Sequence, residues 1–186
     1  MIGFLPDSLN INGKEIPIKS TDFRTALIVF QACDDPNLTP NEKTFIVLDA
    51  ILGIENIPKG YEAEAYKQCC WFLDGGKDLD KKAYNKKLMD WEQDEQMIFS
   101  AVNHVAGKEL RTEKYIHWWT FLGYFDEIKE GLFSTVLSIR QKKRKNKKLE
   151  KWEKEFYREN KELIDIKPKR SEAEKKRMEE INLKFQ

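Results

Sequence analysis

Capping residues and glycines cut this chain into short helical pieces, and that punctuation constrains the fold more than any other feature. Thr39 is placed as an N-cap, Pro40 stands at the first helical position, and Glu42 completes a capping box three residues after the cap. The helix so defined runs to about Leu52, where Gly53 stops it. Residues 61–73 (YEAEAYKQCCWFL) predict another helix, ended by Gly75-Gly76, where a left-handed terminator is expected. A longer helix is predicted over 83–106, with Leu88, Trp91, Ile98, Phe99 and Val102 as its apolar positions and Gly107 as its stop.

Ahead of these, Thr21 or Asp22 can cap a segment in which Phe23, Ala26, Leu27 and Phe30 recur at the spacing of one helical face. Leu9 and Ile11 precede Asn12-Gly13, and Ile16 and Ile18 follow it, the signature of a tight hairpin. Pro17 lacks an N–H, so the second strand belongs at an edge. After Thr112 comes a densely aromatic helix carrying Tyr115, Trp118, Trp119 and Leu122. The expected fold is mainly α: a compact bundle of about five helices with a short N-terminal β-hairpin and a long C-terminal helical extension.

That extension reads as one helix from about Ser134 to Ile164, roughly 45 Å long at 1.5 Å per residue. Leu149, Trp152, Phe156 and Leu163 give it an intermittent apolar stripe, and Pro168 ends it. A last helix is signalled by the Ser171/Glu174 capping box, with Met178, Ile181 and Phe185 as apolar positions that need a cover.

Charge is strongly segregated. Residues 1–139 hold 15 Lys and Arg against 22 Asp and Glu, whereas 140–186 hold 18 against 10. Opposite excesses invite contact between segments or with a partner, so the expected division is an acidic helical body at 1–139 and a basic, amphipathic extension at 140–186.

Catalytic motifs are missing. No P-loop, GxSxG, HExxH, CxxC or GxGxxG pattern occurs, so no enzyme class is indicated and no cofactor is expected. His104, His117, Cys33, Cys69 and Cys70 lack zinc-ligand spacing. The carboxylates Glu92, Asp94 and Glu95 fan around a helix axis instead of converging, which makes a solvated acidic face the leading reading, with a buried structural contact open for Asp94. Three cysteines suit a reducing compartment, and neither a secretory signal nor a membrane-spanning run is read, so the expectation is host cytoplasm and no membrane partner.

Two kinds of binding surface are candidates. For protein binding they are Trp71, Trp118, Trp119 and Phe121 as an aromatic groove, with Leu149, Trp152, Phe156 and Leu163 on the extension. Burial in the core competes with this role for each Trp singly. The extension's uncovered stripe also predicts self-association through the C-terminal helix. The alternative is nucleic-acid binding through the basic run, by Arg140, Lys142, Lys143, Arg144, Lys145, Lys147 and Lys148.

Five segments carry a resemblance: DFRTAL (22–27), WFLDGGK (71–77), DWEQDE followed by MIFSAV (90–95 and 97–102), IHWWTF (116–121) and FSTVLSIR (133–140). Together they resemble the phage gene-product-fifteen family, small proteins of tailed phages and prophages of Gram-positive bacteria, over roughly residues 20 to 145. The resemblance implies a role in tail morphogenesis as a tail-assembly chaperone. Its implied partner is the tape-measure protein, with the major tail protein as a second candidate. A structural component of the finished tail is the further alternative.

Overall fold

The computed structural model describes residues 2–77 and 87–184. The described chain is mainly helical, with one two-stranded antiparallel hairpin, β1 (Ser8–Ile11) and β2 (Lys14–Pro17). Asn12 and Gly13 take φ values of 51° and 74°, both in the left-handed region that a type I′ turn requires. Leu9 pairs with Ile16 and Ile11 with Lys14, so Leu9 and Ile11 share the buried face.

The helices are α1 (Phe23–Asp34), α2 (Pro40–Ile51), α3 (Glu62–Leu73), α4 (Glu95–Ala106), α5 (Trp118–Asp126), α6 (Leu132–Arg144), α7 (Lys151–Glu159), α8 (Lys161–Ile164) and α9 (Glu172–Lys184). α1 begins where the Asp22 carboxylate accepts from Arg24 N–H. α2 shows the full Thr39/Glu42 capping box and Pro40 in its first turn. α9 begins at Ser171 and Glu174, which exchange hydrogen bonds in the same way.

The chain forms two compact units. One comprises residues 1–5 and 73–167, the other residues 6–72 and 168–186. The second unit packs α1 against α2, ties the hairpin exit to α2 through Lys19 N–H donating to Ile51 C=O, and buries Phe23, Val29, Ile51, Leu52 and Phe72. The start of α9 joins it, with Glu172 N–H donating to the Asn37 side chain at 2.9 Å.

The first unit is built on an aromatic cluster. Trp118 stacks on Phe121 at 5.7 Å, meets Trp91 edge-on at 6.3 Å, and donates its indole N–H to Leu73 C=O at 2.9 Å. Phe99 meets Phe121 edge-on, and Phe125 lies against Trp91 and Phe133. α4 packs on α5 and α6, and α8 packs on α6 and α7.

Three expectations are corrected. The helix drawn over 83–106 starts at Glu95, because residues 90–94 form turns in which Asp90 accepts from the N–H groups of Glu92 and Gln93; residues 83–86 lie outside the described ones. The aromatic helix starts at Trp118, with the His117 ring nitrogen accepting from Trp119 N–H, so exposed Tyr115 lies before it. The long helix from Ser134 to Ile164 is three helices. α6 stops in a Schellman turn: Asn146 takes φ 51°, Lys147 N–H donates to Lys142 C=O, and Asn146 N–H donates to Lys143 C=O. Residues 140–167 share a compact unit with 73–139.

It follows that a chain ending at residue 139 loses cooperative folding of the first unit. Thermal unfolding followed by circular dichroism should show one fewer cooperative component, or none, and a full-sized transition would contradict this division.

Candidate functional site

Arg140 is the centre of the first unit. Its side chain is 6% exposed and its Nη1 and Nη2 donate to the two Asp94 oxygens at 2.5 and 2.9 Å. Nε donates to Ile164 C=O at 2.6 Å, Nη1 also to Leu88 C=O at 3.1 Å, and Nη2 also to Leu163 C=O at 2.9 Å. A guanidinium has five N–H donors. All five are engaged within the protein. Asp94, fully buried, also accepts from Asp90 N–H at 2.9 Å. The pair joins the turn before α4, the middle of α6 and the end of α8.

The rest of the basic run divides. Lys142 donates to both Glu153 oxygens at 2.7 and 2.8 Å, and Glu150 N–H donates to the same carboxylate. Burial pushes the Glu153 carboxyl upward, but the hydrogen bonds from Lys142 and Glu150 outweigh it and hold the group below the usual carboxylate range. Lys143 pairs with Asp165 at 2.5 Å and lies over the Tyr157 ring, 3.6 Å from its centre, while Tyr157 O–H donates to the other Asp165 oxygen. Arg144 is half-buried; Lys145, Lys147 and Lys148 are exposed. Glu150 is the N-cap of α7, where it forms a capping box with Glu153.

The aromatic candidates also divide. Trp118 and Phe121 are 1% and 0% exposed, which makes them core side chains with no face to offer a partner. Trp119 is half-buried in the first unit, and Trp71 is half-buried in the second. On the C-terminal helices Leu149, Phe156 and Leu163 are half-buried, while Trp152 stands 56% exposed on α7.

A larger open groove than any at these side chains lies along α4. A groove of about 890 Å³ runs along α4 opposite residues 127–133. α4 gives it two parallel rows at four-residue spacing, Met97, Ala101 and Val105 beside Gln96, Ser100 and His104. Eight residues of α-helix make the rows about 12 Å long. The facing wall supplies Ile128, Leu132 and Phe133, with Glu127, Lys129 and Glu130 at the rim. Met97 and Phe133 are the buried floor; Val105 and Leu132 remain 36% and 48% exposed. Sequence reasoning missed this groove, although the i, i+4, i+8 rows on α4 were readable; the missing signal was which helix would leave that face uncovered.

Among the described residues no group of His, Cys, Asp and Glu is arranged to hold a metal ion, and no helix is long and apolar enough to cross a membrane. The model of the family described as Bacteriophage Gp15 protein matches residues 1–166. The chain belongs to this family. The match covers residues 1–5 and 73–166 of the first unit and 6–72 of the second, a longer span than the five resembling segments mark out. No curated protein and no solved structure matches the chain.

For this Gp15-family protein, Arg140→Lys should be nearly as damaging as Arg140→Ala, since an ammonium cannot serve a bidentate carboxylate and three carbonyls together. Breaking a buried pair costs about 3–5 kcal/mol, measurable as a shift in the denaturant midpoint. Trp118→Ala is expected to lose about 3–5 kcal/mol, and Trp152→Ala to stay within about 0.5 kcal/mol of the parent. Equal losses at the two Trp positions would overturn this assignment of core and surface.

Proposed function

We propose that this Gp15-family phage protein is a non-enzymatic tail-assembly chaperone that acts in the host cytoplasm by holding helical segments of the tape-measure protein. The observation that carries the proposal is the α4 groove. Its apolar floor and lip, about two turns long and edged by polar side chains, match the recognition mode in which an amphipathic helix lays its apolar face into a groove. A tape-measure protein is a long helical chain whose apolar stripes aggregate if left bare, and a cover that is shallow and partly polar can be released when tail subunits arrive. Exposed Trp152 offers a second apolar contact on the same unit.

The nucleic-acid alternative is left with Lys145, Lys147 and Lys148 as exposed cations of the basic run, because Arg140, Lys142 and Lys143 are engaged internally. Three such charges support only weak, salt-sensitive contact. A role as a structural tail component makes a different demand, that the protein persist in purified virions.

Co-expression decides between these readings. The tape-measure protein should move into the soluble fraction and co-purify with the full chain, while Val105→Asp with Leu132→Asp should abolish the effect without changing the fold by circular dichroism. Mass spectrometry of virions should find the protein absent. An insoluble tape measure beside a well-folded parent protein would overturn the proposal.

A further inference from the structure

Among the asparagines of this chain, only Asn12 is followed by glycine. Five others have the side-chain amide tied down: Asn10 donates to Glu15, Asn37 to Asp35, Asn56 to Leu52 C=O, Asn103 to Glu109 and Asn160 to Phe156 C=O. The Asn12 side chain is exposed and makes no hydrogen bond among the described residues. Asn146 is the useful comparison, being exposed and sharing the φ of 51°. There the next N–H, that of Lys147, donates to Lys142 C=O at 2.8 Å. Gly13 N–H has no such partner among the described residues, and open space lies where a Cβ would stand. A free carboxamide beside an unbonded, unhindered backbone nitrogen is the arrangement for attack of one on the other.

We propose that Asn12-Gly13 is a self-modification site, at which the chain deamidates and thereby unmakes its own hairpin. The Gly13 nitrogen gives its proton to hydroxide and bonds to Asn12 Cγ. The Cγ–Nδ2 bond breaks, and the nitrogen leaves as ammonia with a proton taken from water, which regenerates the hydroxide. Water then opens the succinimide ring at either carbonyl. The product is an aspartyl residue, or an isoaspartyl residue whose backbone runs through the former side chain. The closed turn restrains this reaction, because both turn residues are left-handed and bringing the Gly13 nitrogen to Cγ requires rotation about the Asn12 Cα–C bond. Asn12 N–H, donating to Glu64 Oε1 at 3.1 Å, also holds the turn closed. Opening of the turn therefore sets the rate. The product cannot restore the turn: an isoaspartyl link adds a backbone carbon to a two-residue loop, and either product brings a new carboxylate near Glu64. Leu9 and Ile11, 2% and 0% exposed, depend on that turn for their register.

The test is incubation of the folded full chain in neutral and mildly alkaline buffer, followed by peptide mass spectrometry, with isoaspartate detected by enzymatic methylation. Conversion should run fastest at Asn12 and rise in proportion to hydroxide. In urea the same residue should convert faster still, since no turn has to open. Glu64→Ala, checked for fold by circular dichroism, should convert about threefold faster than the parent, the worth of one exposed hydrogen bond. The isoaspartyl form, separated by ion exchange, should have lost hydrogen-exchange protection in β1 and β2 while α4 keeps its own. An Asn12 that stays intact in the folded chain, an Asn146 that converts as fast, a Glu64→Ala rate equal to the parent's, or an isoaspartyl form with its hairpin still protected would each overturn the inference.

Discussion

The first unit depends on one buried ion pair. A guanidinium taken out of water is costly unless every donor is met, and Arg140 meets this condition with the Asp94 carboxylate and three backbone carbonyls. Those carbonyls are not arbitrary. Leu163 and Ile164 end α8, where helix carbonyls have lost their intrahelical donors, and Leu88 lies in a stretch without regular structure. One side chain therefore replaces the ladder that three separate segments lack. Gln93 works beside it, donating to Asp165 C=O and accepting from Lys167 N–H.

This arrangement ties together the residues on either side of the change of charge at 140. The basic run at the end of α6 offsets the negative end of the helix dipole, and Lys142 and Lys143 find carboxylates 11 and 22 residues further on. The net excess of 140–186 thus conceals local pairing inside the first unit. Sequence order and charge total suggest an arm; pairing in space returns most of it to the body.

How legible the fold was depended on whether a signal was local. The capping boxes at Thr39 and Ser171, the Asn12-Gly13 turn and the α2 and α3 ends were readable because the residues that make them lie within a few positions of one another. Asn146 was equally local, yet it stands among seven cations, and a run with no apolar periodicity gave no reason to look for a stop. Arg140 and Asp94 are a different case. Both were noticed, Asp94 as a possible buried contact and Arg140 as the start of a basic patch, but their pairing spans 46 positions and no periodicity connects them. The groove shares that difficulty: its α4 rows are periodic, but their exposure is decided by where α6 crosses.

The ion pair and the groove are linked through the same two helices. Asp94 is the residue before α4, and Arg140 lies two turns along α6 from Leu132 and Phe133, which line the groove's opposite wall. Fixing Asp94 to Arg140 therefore fixes the distance between the walls at one end. The other end is set by the turn at 127–131, where Gly131 takes φ 110°, a conformation that residues with a Cβ rarely adopt. A groove pinned in this way is formed before its occupant arrives, so binding does not have to order its walls and even a small apolar contact can be effective. The ion pair that ties α4 to α6 therefore also positions one end of the open face on α4, whereas half of the basic run is spent on contacts inside the unit.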